Sequence, residues 1–320
     1  MLSSQDGGDS RPRRGPGRTR ARPEGDSIIA DLQSWTDAAL AELAEAQNGD
    51  GGWGYLRGGQ SQTEATALAL MALQAFRPDA PQISPALAFL EARRLVDNSF
   101  ATSTVVAQPT WTTPLAAMAL AAGGLSESAR AAADWLLAST VFVLNPTPTF
   151  LYGYDTTLAG WPWTVGDYSF VEPTAAAVIF LKRQGYGSHE RVRTAAAMLR
   201  SRATAEGGWN YGEPQVLGND LSPAVVPTAM ALVALADEPD DLTAAAWNWL
   251  LSRRGTITSL FSLGWAAIAL NVWNAMDANW TADLIGRWDA APPSRRGPLE
   301  TALCLLGVAP REGHVFAVSS

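Results

Sequence analysis

The segment YDTTLAGWPWTVGDYSFVEPT, residues 154–174, is the densest mixture of acidic and aromatic side chains in the chain. Two of its carboxylates could do proton chemistry. Asp167 is expected to act as a general acid, its pKa raised by a dry, aromatic setting, with Glu172 as the partner that orients it. Glu172 stands directly before Pro173 at a helix start, where the macrodipole favours the ionised form and where it could cap the helix by accepting from first-turn amides. The aromatic faces of Trp111, Tyr154, Trp161, Trp163, Tyr211 and Trp265 lie at or near the starts of apolar helices. Together they could bind an apolar ligand or face a carbocation.

The sequence offers little for metal or thiol chemistry. There is one cysteine, Cys304, inside the apolar run TALCLLGVA, where it reads as a small buried hydrophobe. Of the two histidines, His189 falls on an outer helix and His314 in the tail while Cys304 is mid-helix, so no metal site and no cofactor are expected. Asp240 and Asp241, in EPDDLTAA, sit where an outer helix begins and read as caps.

The elements that must hold these residues repeat along the chain. Six Ala- and Leu-rich helices, EATALALMAL, TTPLAAMALAA, VEPTAAAVIFL, VVPTAMALVAL, LGWAAIALNVW and LETALCLLGV, can be laid over one another. With Thr66, Leu115, Thr174, Thr228, Trp265 and Thr301 as anchors, the steps are 49, 59, 54, 37 and 36 residues, one helical hairpin each. Pro114, Pro173 and Pro227 mark helix starts, where the first-turn amide has no intrahelical partner to lose. Between these helices lie amphipathic ones such as HERVRTAAAMLRSR, in which Val192, Ala195, Ala196 and Leu199 form a stripe opposite Arg191, Arg193 and Arg200. Fully apolar helices alternating with amphipathic ones describe two concentric layers. The expected fold is therefore all-α, a barrel of six helical hairpins with inner helices around a lumen. It would occupy residues 28–310 as one domain, between a disordered basic tail at 1–27 and a C-terminal tail at 311–320.

Composition narrows the partners. A net charge of −8 and a pI near 4.9 argue against a nucleic-acid surface on the folded part. The basic run RPRRGPGRTRAR at 11–22 reads as a disordered tail and leaves a peripheral membrane contact open. No stretch reaches the roughly 18 apolar residues of a membrane span, and no apolar segment follows the arginines, so a cytoplasmic location is expected.

QNGDGGW places Gln47, Gly51 and Trp53 in the order Gln, three residues, Gly, one residue, Trp, and EGGWNYG at 206–212 repeats the Gly-Gly-Trp core with Ala203 where the Gln would stand. AGWPW at 159–163 is looser. This resembles the Gln-Trp motif of squalene and hopene cyclases, within the prenyltransferase and squalene-oxidase repeat group. The resemblance covers nearly all of residues 28–310 and implies the α/α6 toroid of terpenoid cyclases and protein prenyltransferases. Gln47 and Trp53 themselves read as structural, the glycines turning the chain and the indole covering a helix end. The family's acid tetrad, Asp-any-Asp-Asp, is missing, as are the Asp-Asp-any-any-Asp magnesium cluster, the zinc ligand set and the thioester Cys-Gln.

The resemblance thus implies a terpene cyclase or mutase that acts on an isoprenoid in an aromatic-lined lumen by metal-independent protonation, with an unusual acid arrangement. Two alternatives stand beside it: a non-catalytic toroid that binds an apolar ligand or a protein partner, and a glycan-active enzyme using Asp167 with Glu172 as its carboxylate pair.

Overall fold

The computed structural model describes residues 24–108, 111–144 and 152–318. Among them are twelve α-helices, α1 (Glu24–Glu45), α2 (Thr63–Phe76), α3 (Ile83–Glu91), α4 (Thr113–Ala122), α5 (Ser126–Ala138), α6 (Val171–Arg183), α7 (Glu190–Ser201), α8 (Val225–Ala234), α9 (Asp241–Ser252), α10 (Leu260–Val272), α11 (Ala278–Ala290) and α12 (Pro298–Gly307). The regular β structure is one hairpin, β1 (Gln215–Val216) with β2 (Asn219–Asp220). The basic run at 11–22 lies outside the described residues, and α1 opens at Glu24, four residues ahead of the expected domain start.

The even-numbered helices form the inner ring. Each packs on the next in the order α2, α4, α6, α8, α10, α12, and α12 closes on α2. The odd-numbered helices lie outside, α3 on α2, α5 on α4, α7 on α6, α9 on α8 and α11 on α10, with α1 against α12 and α11. This is the α/α toroid of six hairpins expected from the repeat. Alanine dominates the inner helices because every face of them is covered. In α4, all residues from Thr113 to Leu120 are buried. Small residues also let backbones approach: a methyl group on Gly264 would run into Leu303, and one on Gly307 into Ala267, so α10 and α12 pack closely.

The first four outer helices each return to the next inner helix through a long link, and one contact recurs there. The amide of Trp53 donates to Thr66 Oγ1 at 2.9 Å, that of Trp161 to Thr174 Oγ1 at 2.8 Å, and that of Trp209 to Thr228 Oγ1 at 2.9 Å. Each threonine hydroxyl in turn faces the same tryptophan's carbonyl at 3.4, 3.2 and 3.0 Å. The indole N–H groups donate back to the outer helix just left, to Leu43 O, Leu136 O and Leu199 O. They satisfy carbonyls that a helix end leaves free. The partners are 13 positions apart in the Trp53 and Trp161 links and 19 apart in the Trp209 link. In the second hairpin Phe100 takes the tryptophan's place, its amide donating to Thr113 Oγ1. The repeat anchor on α4 is thus Thr113, two residues ahead of the expected Leu115. Likewise Trp265 is the sixth residue of α10 rather than its start. Gln47 donates to Gly51 O and Gln82 O, tying the first link to the turn before α3.

Residues 311–318, expected as a tail, are packed. His314 Nε2 lies 2.9 Å from Leu306 O at the end of α12, and Arg183 at the end of α6 donates to His314 O and Ala317 O. Since α12 and α6 are on opposite sides of the ring, this segment is a strap across the mouth where the inner helices end. Phe316, fully buried, sits against Trp265 with ring centroids 5.5 Å apart.

Replacing Thr174 by Val, a near isostere, leaves the buried Trp161 amide without an acceptor. We expect a loss of about 1–3 kcal/mol in chemical denaturation, and a comparable loss for Thr228→Val.

Candidate functional site

The starts of the inner helices are tied to one another. Thr63 N donates to Thr102 O in the link that leads to α4, Trp111 N to Trp163 O in the link that leads to α6, and Val171 N to Tyr211 O in the link that leads to α8. All these helices therefore begin at one mouth, opposite the strap.

Three carboxylates stand in first turns at this mouth: Glu64, second residue of α2, Glu172, second residue of α6, and Glu300, third residue of α12. Glu64 and Glu172 are 7% and 6% exposed. Burial pushes each of them up to about 7, and the charge of Glu64 adds to the rise at Glu172 while that of Glu300 adds to it at Glu64. Glu300 is raised as well, by burial. Helices α2 and α6 are not neighbours, for α4 lies between them in the ring. Their surroundings differ. Tyr55 Oη donates to Glu64 Oε2 at 2.8 Å, whereas Glu172 Oε2 is buried without a hydrogen-bond partner. Glu172 does not cap α6, whose first turn receives no side-chain bond. The expected macrodipole preference for its ionised form is outweighed by desolvation.

The residues singled out from the sequence fall into three groups. Asp167 is exposed, in a turn where its carboxylate accepts the amide of the adjacent Tyr168 at 2.8 Å. The dry, aromatic setting expected for it is not what the structure shows, because the link carries it over the outside of the mouth while Glu172 turns inward. No hydrogen bond joins the two among the described residues. Trp111, Trp161 and Trp163 do come together. The Trp111 and Trp163 rings meet edge to face at 4.8 Å, and Trp111 and Trp161 line a cavity of about 20 Å³ with Trp135, Pro114 and Pro173. That volume holds about one water molecule. Trp161 is the counterpart of Trp53 and Trp209, and the Arg191 guanidinium lies 4.2 Å over its ring. The remaining aromatics are dispersed. Tyr154 is buried under Arg202 and beside Glu213, Tyr211 is 56% exposed, and Trp265 lies under the strap.

Glu64 and Glu300 were missed by sequence reasoning, which searched for acids close together along the chain. The signal was present in register: Glu64 and Glu172 each stand two residues before the anchor threonine of their inner helix, Thr66 and Thr174. The expected caps at Asp240 are real, its carboxylate and Thr243 forming a capping box on α9. Cys304 is buried, its thiol pushed up by burial. Among the described residues no cluster of three metal-ligating side chains occurs, and no helix is long and apolar enough to cross a membrane.

The sequence matches no family model, and no curated protein matches it in sequence. Solved structures do match. A variant of the type II terpene cyclase MstE from Scytonema, in complex with its substrate geranylgeranyl dihydroxybenzoate, aligns with a TM-score of 0.54 and 17% identity over 84% of this chain and 82% of that one. A protein from Actinoplanes aligns with a TM-score of 0.56 and 18% identity, over 80% and 79%. An α-amylase from Clostridium perfringens aligns with a TM-score of 0.59 and 8% identity, over 87% and 98%. At these identities the likeness establishes the fold: the chain is an α/α toroid of the kind found in terpenoid cyclases.

A buried acid whose folded pKa exceeds its unfolded value holds a proton that unfolding releases. Its stabilising contribution is full below about pH 4.5 and is lost as pH rises through about 7. Denaturation midpoints should fall over that interval by an amount on the order of a few kcal/mol in stability, and Glu172→Gln should flatten the curve and stabilise the protein above pH 7.

Proposed function

We propose that this protein is a terpene cyclase- or mutase-like toroid that takes an apolar isoprenoid at the open mouth and, if catalytic, starts cyclisation by protonation without metal. The observation that carries this reading is the pair of buried carboxyls, Glu64 and Glu172, in equivalent first-turn positions of α2 and α6 at the same mouth, each pushed up to about 7 by burial. An alkene is a weak base, and only a neutral carboxylic acid screened from water can donate to it effectively. Three first-turn glutamates would then replace the acid tetrad that the sequence lacks, and the acid role first assigned to Asp167 passes to them. Trp111 and Trp163 beside this mouth would offer aromatic faces to a developing cation.

Access supports the same direction. The strap closes one mouth, and the links surround the other. Among the described residues, all the large apolar side chains left exposed stand on these links except Leu125 and Leu251. Val96, Val105, Leu56 and Leu217 are prominent among them. Such a rim suits uptake of an apolar molecule from a bilayer surface, so peripheral membrane contact is part of the proposal. A cytoplasmic location fits it as well.

A second reading has an observation of its own. Close packing of α10 on α12 and the insertion of Phe316 against Trp265 fill one side and one end of the ring, which favours a toroid that binds a ligand or a protein partner without turnover. The glycan-active alternative loses its pair, because Asp167 is exposed and Glu172 buried.

The deciding experiment is incubation of purified protein with squalene, geranylgeranyl diphosphate and farnesyl diphosphate and their epoxides, read by mass spectrometry. Cyclised or hydrated product that falls at least about 100-fold in Glu172→Gln, and persists in Asp167→Asn, establishes the cyclase reading. Substrate recovered bound and unchanged establishes the binding reading. For the rim, sedimentation with phosphatidylcholine vesicles should carry the wild type down and leave a Val105→Asp, Leu217→Asp double variant in solution.

A further inference from the structure

We propose that the strap at residues 311–318 is an acid-released plug: protonation of His314 frees it from the ends of α12 and α6, draws Phe316 off Trp265 and opens the second mouth of the ring. The device goes beyond the reading above and holds whether or not the protein turns a ligand over.

The latch is one imidazole held at both nitrogens. The Phe316 amide donates to His314 Nδ1 at 3.2 Å, so that nitrogen carries no proton, and Nε2 donates to Leu306 O at 2.9 Å. Only the neutral ring fits this arrangement. A second proton would go to Nδ1, where it would meet the Phe316 N–H and break that bond. The His314 residue is 3% exposed, so the new charge would lie out of reach of water.

No carboxylate compensates such a charge. Burial first, and then the nearby Arg183 guanidinium, hold His314 below the ordinary histidine range. Beside Arg183, α6 carries Lys182, which is bound to Asp237 after α8. Helices α4, α8 and α10 carry no titratable side chain. The acids of α2 and α12, Glu64 and Glu300, stand in first turns at the opposite mouth, and Cys304 of α12 is a buried thiol. In the strap itself Arg311 and Glu312 are exposed.

The latch holds down an apolar plug. Phe316 is fully buried and meets Trp265 with ring centroids 5.5 Å apart. Trp265 precedes Val272, the end of α10, by about 10 Å along the helix axis, so the phenyl group reaches well inside the ring. Among the described residues, the hydrogen bonds that join the strap to the ring are those of His314 to Leu306 O and of Arg183 to His314 O and Ala317 O. The strap's other bonds, His314 N to Arg311 O and Ala317 N to His314 O, lie within it and can travel with it. Beside it a cleft of about 280 Å³, lined in part by Met71, Gln74, Ala122 and Leu306, leaves room for it to swing. Because the closed strap holds His314 below its ordinary value of 6.5, closure is fully favoured above about pH 6.5 and is lost as the pH falls through the lower value of the closed form.

The test is hydrogen exchange of the full chain, read by mass spectrometry from pH 8 to pH 5 and corrected for the intrinsic pH dependence of exchange. Residues 311–318 should lose protection by at least about tenfold at pH 5 while the inner helices keep theirs. In nitrogen-15 spectra of the wild type, with the exposed His189 as reference, His314 should show the Nε2–H tautomer at pH 8 and titrate below 6.5. The mouth is read with N-phenyl-1-naphthylamine, an uncharged dye that brightens on leaving water, and its signal should rise as the strap loosens. In His314→Gln, which keeps a donor for Leu306 O and takes up no proton, strap protection and dye signal should be the same at pH 5 and pH 8. In Phe316→Ala the dye should be bright already at pH 8. A wild-type strap that stays protected below the His314 midpoint would overturn the proposal, as would a dye rise of wild-type size in His314→Gln, which would trace opening to the buried glutamates instead.

Discussion

The reciprocal bond between a threonine hydroxyl and the backbone of a tryptophan is the constraint on which this toroid rests. An outer helix must hand the chain to an inner helix through a link that runs over buried surface, where backbone groups cannot be left without partners. Thr66, Thr174 and Thr228 receive the Trp53, Trp161 and Trp209 amides and face their carbonyls, and each indole caps the outer helix behind it. One residue pair thereby fixes the end of one helix, the start of the next and the distance between layers. The preceding glycines follow from the same contact, since a methyl group on Gly160 or Gly208 would strike the threonine side chain.

That constraint also creates the site. By seating the fourth residue of α2, α6 and α8 at the same height, it sets the second residue of each at the rim of the lumen. Where that second residue is an acid, as in α2 and α6, a carboxyl is forced into an apolar mouth against the preference of the helix dipole. The energy for this comes from the surrounding packing of fully buried inner helices, and the penalty is relieved by protonation. The strap from α12 to α6 makes the ring asymmetric: one end sealed by Phe316 and His314, the other bordered by exposed apolar links.

Tryptophan abundance turned out to serve layer contacts more than a lumen. Trp53, Trp161 and Trp209 lie between inner and outer helices, Trp35 meets Trp288 edge to face between α1 and α11, and Trp247 stacks on Trp273 between α9 and the end of α10. An indole needs a hydrogen-bond partner as well as apolar cover, and helix ends provide both. For that reason Trp161, read from sequence as a ligand contact, occupies the same structural position as Trp53.

From sequence alone, the repeat of apolar helices and the prolines at their starts determined the fold class, the number of hairpins and the alternation of layers, because helix periodicity and helix capping are local properties. Register along each helix was also written there, and it already placed Glu64 and Glu172 in equivalent positions. What only the tertiary structure decided was which acids are buried. Asp167 and Glu172 are five residues apart in the chain and end in opposite environments, solvent and core, while Glu64 and Glu172, more than a hundred residues apart, are both buried at the starts of inner helices. Closure of the ring buries them both, so neither that burial nor its effect on acidity could be read before the helices were packed.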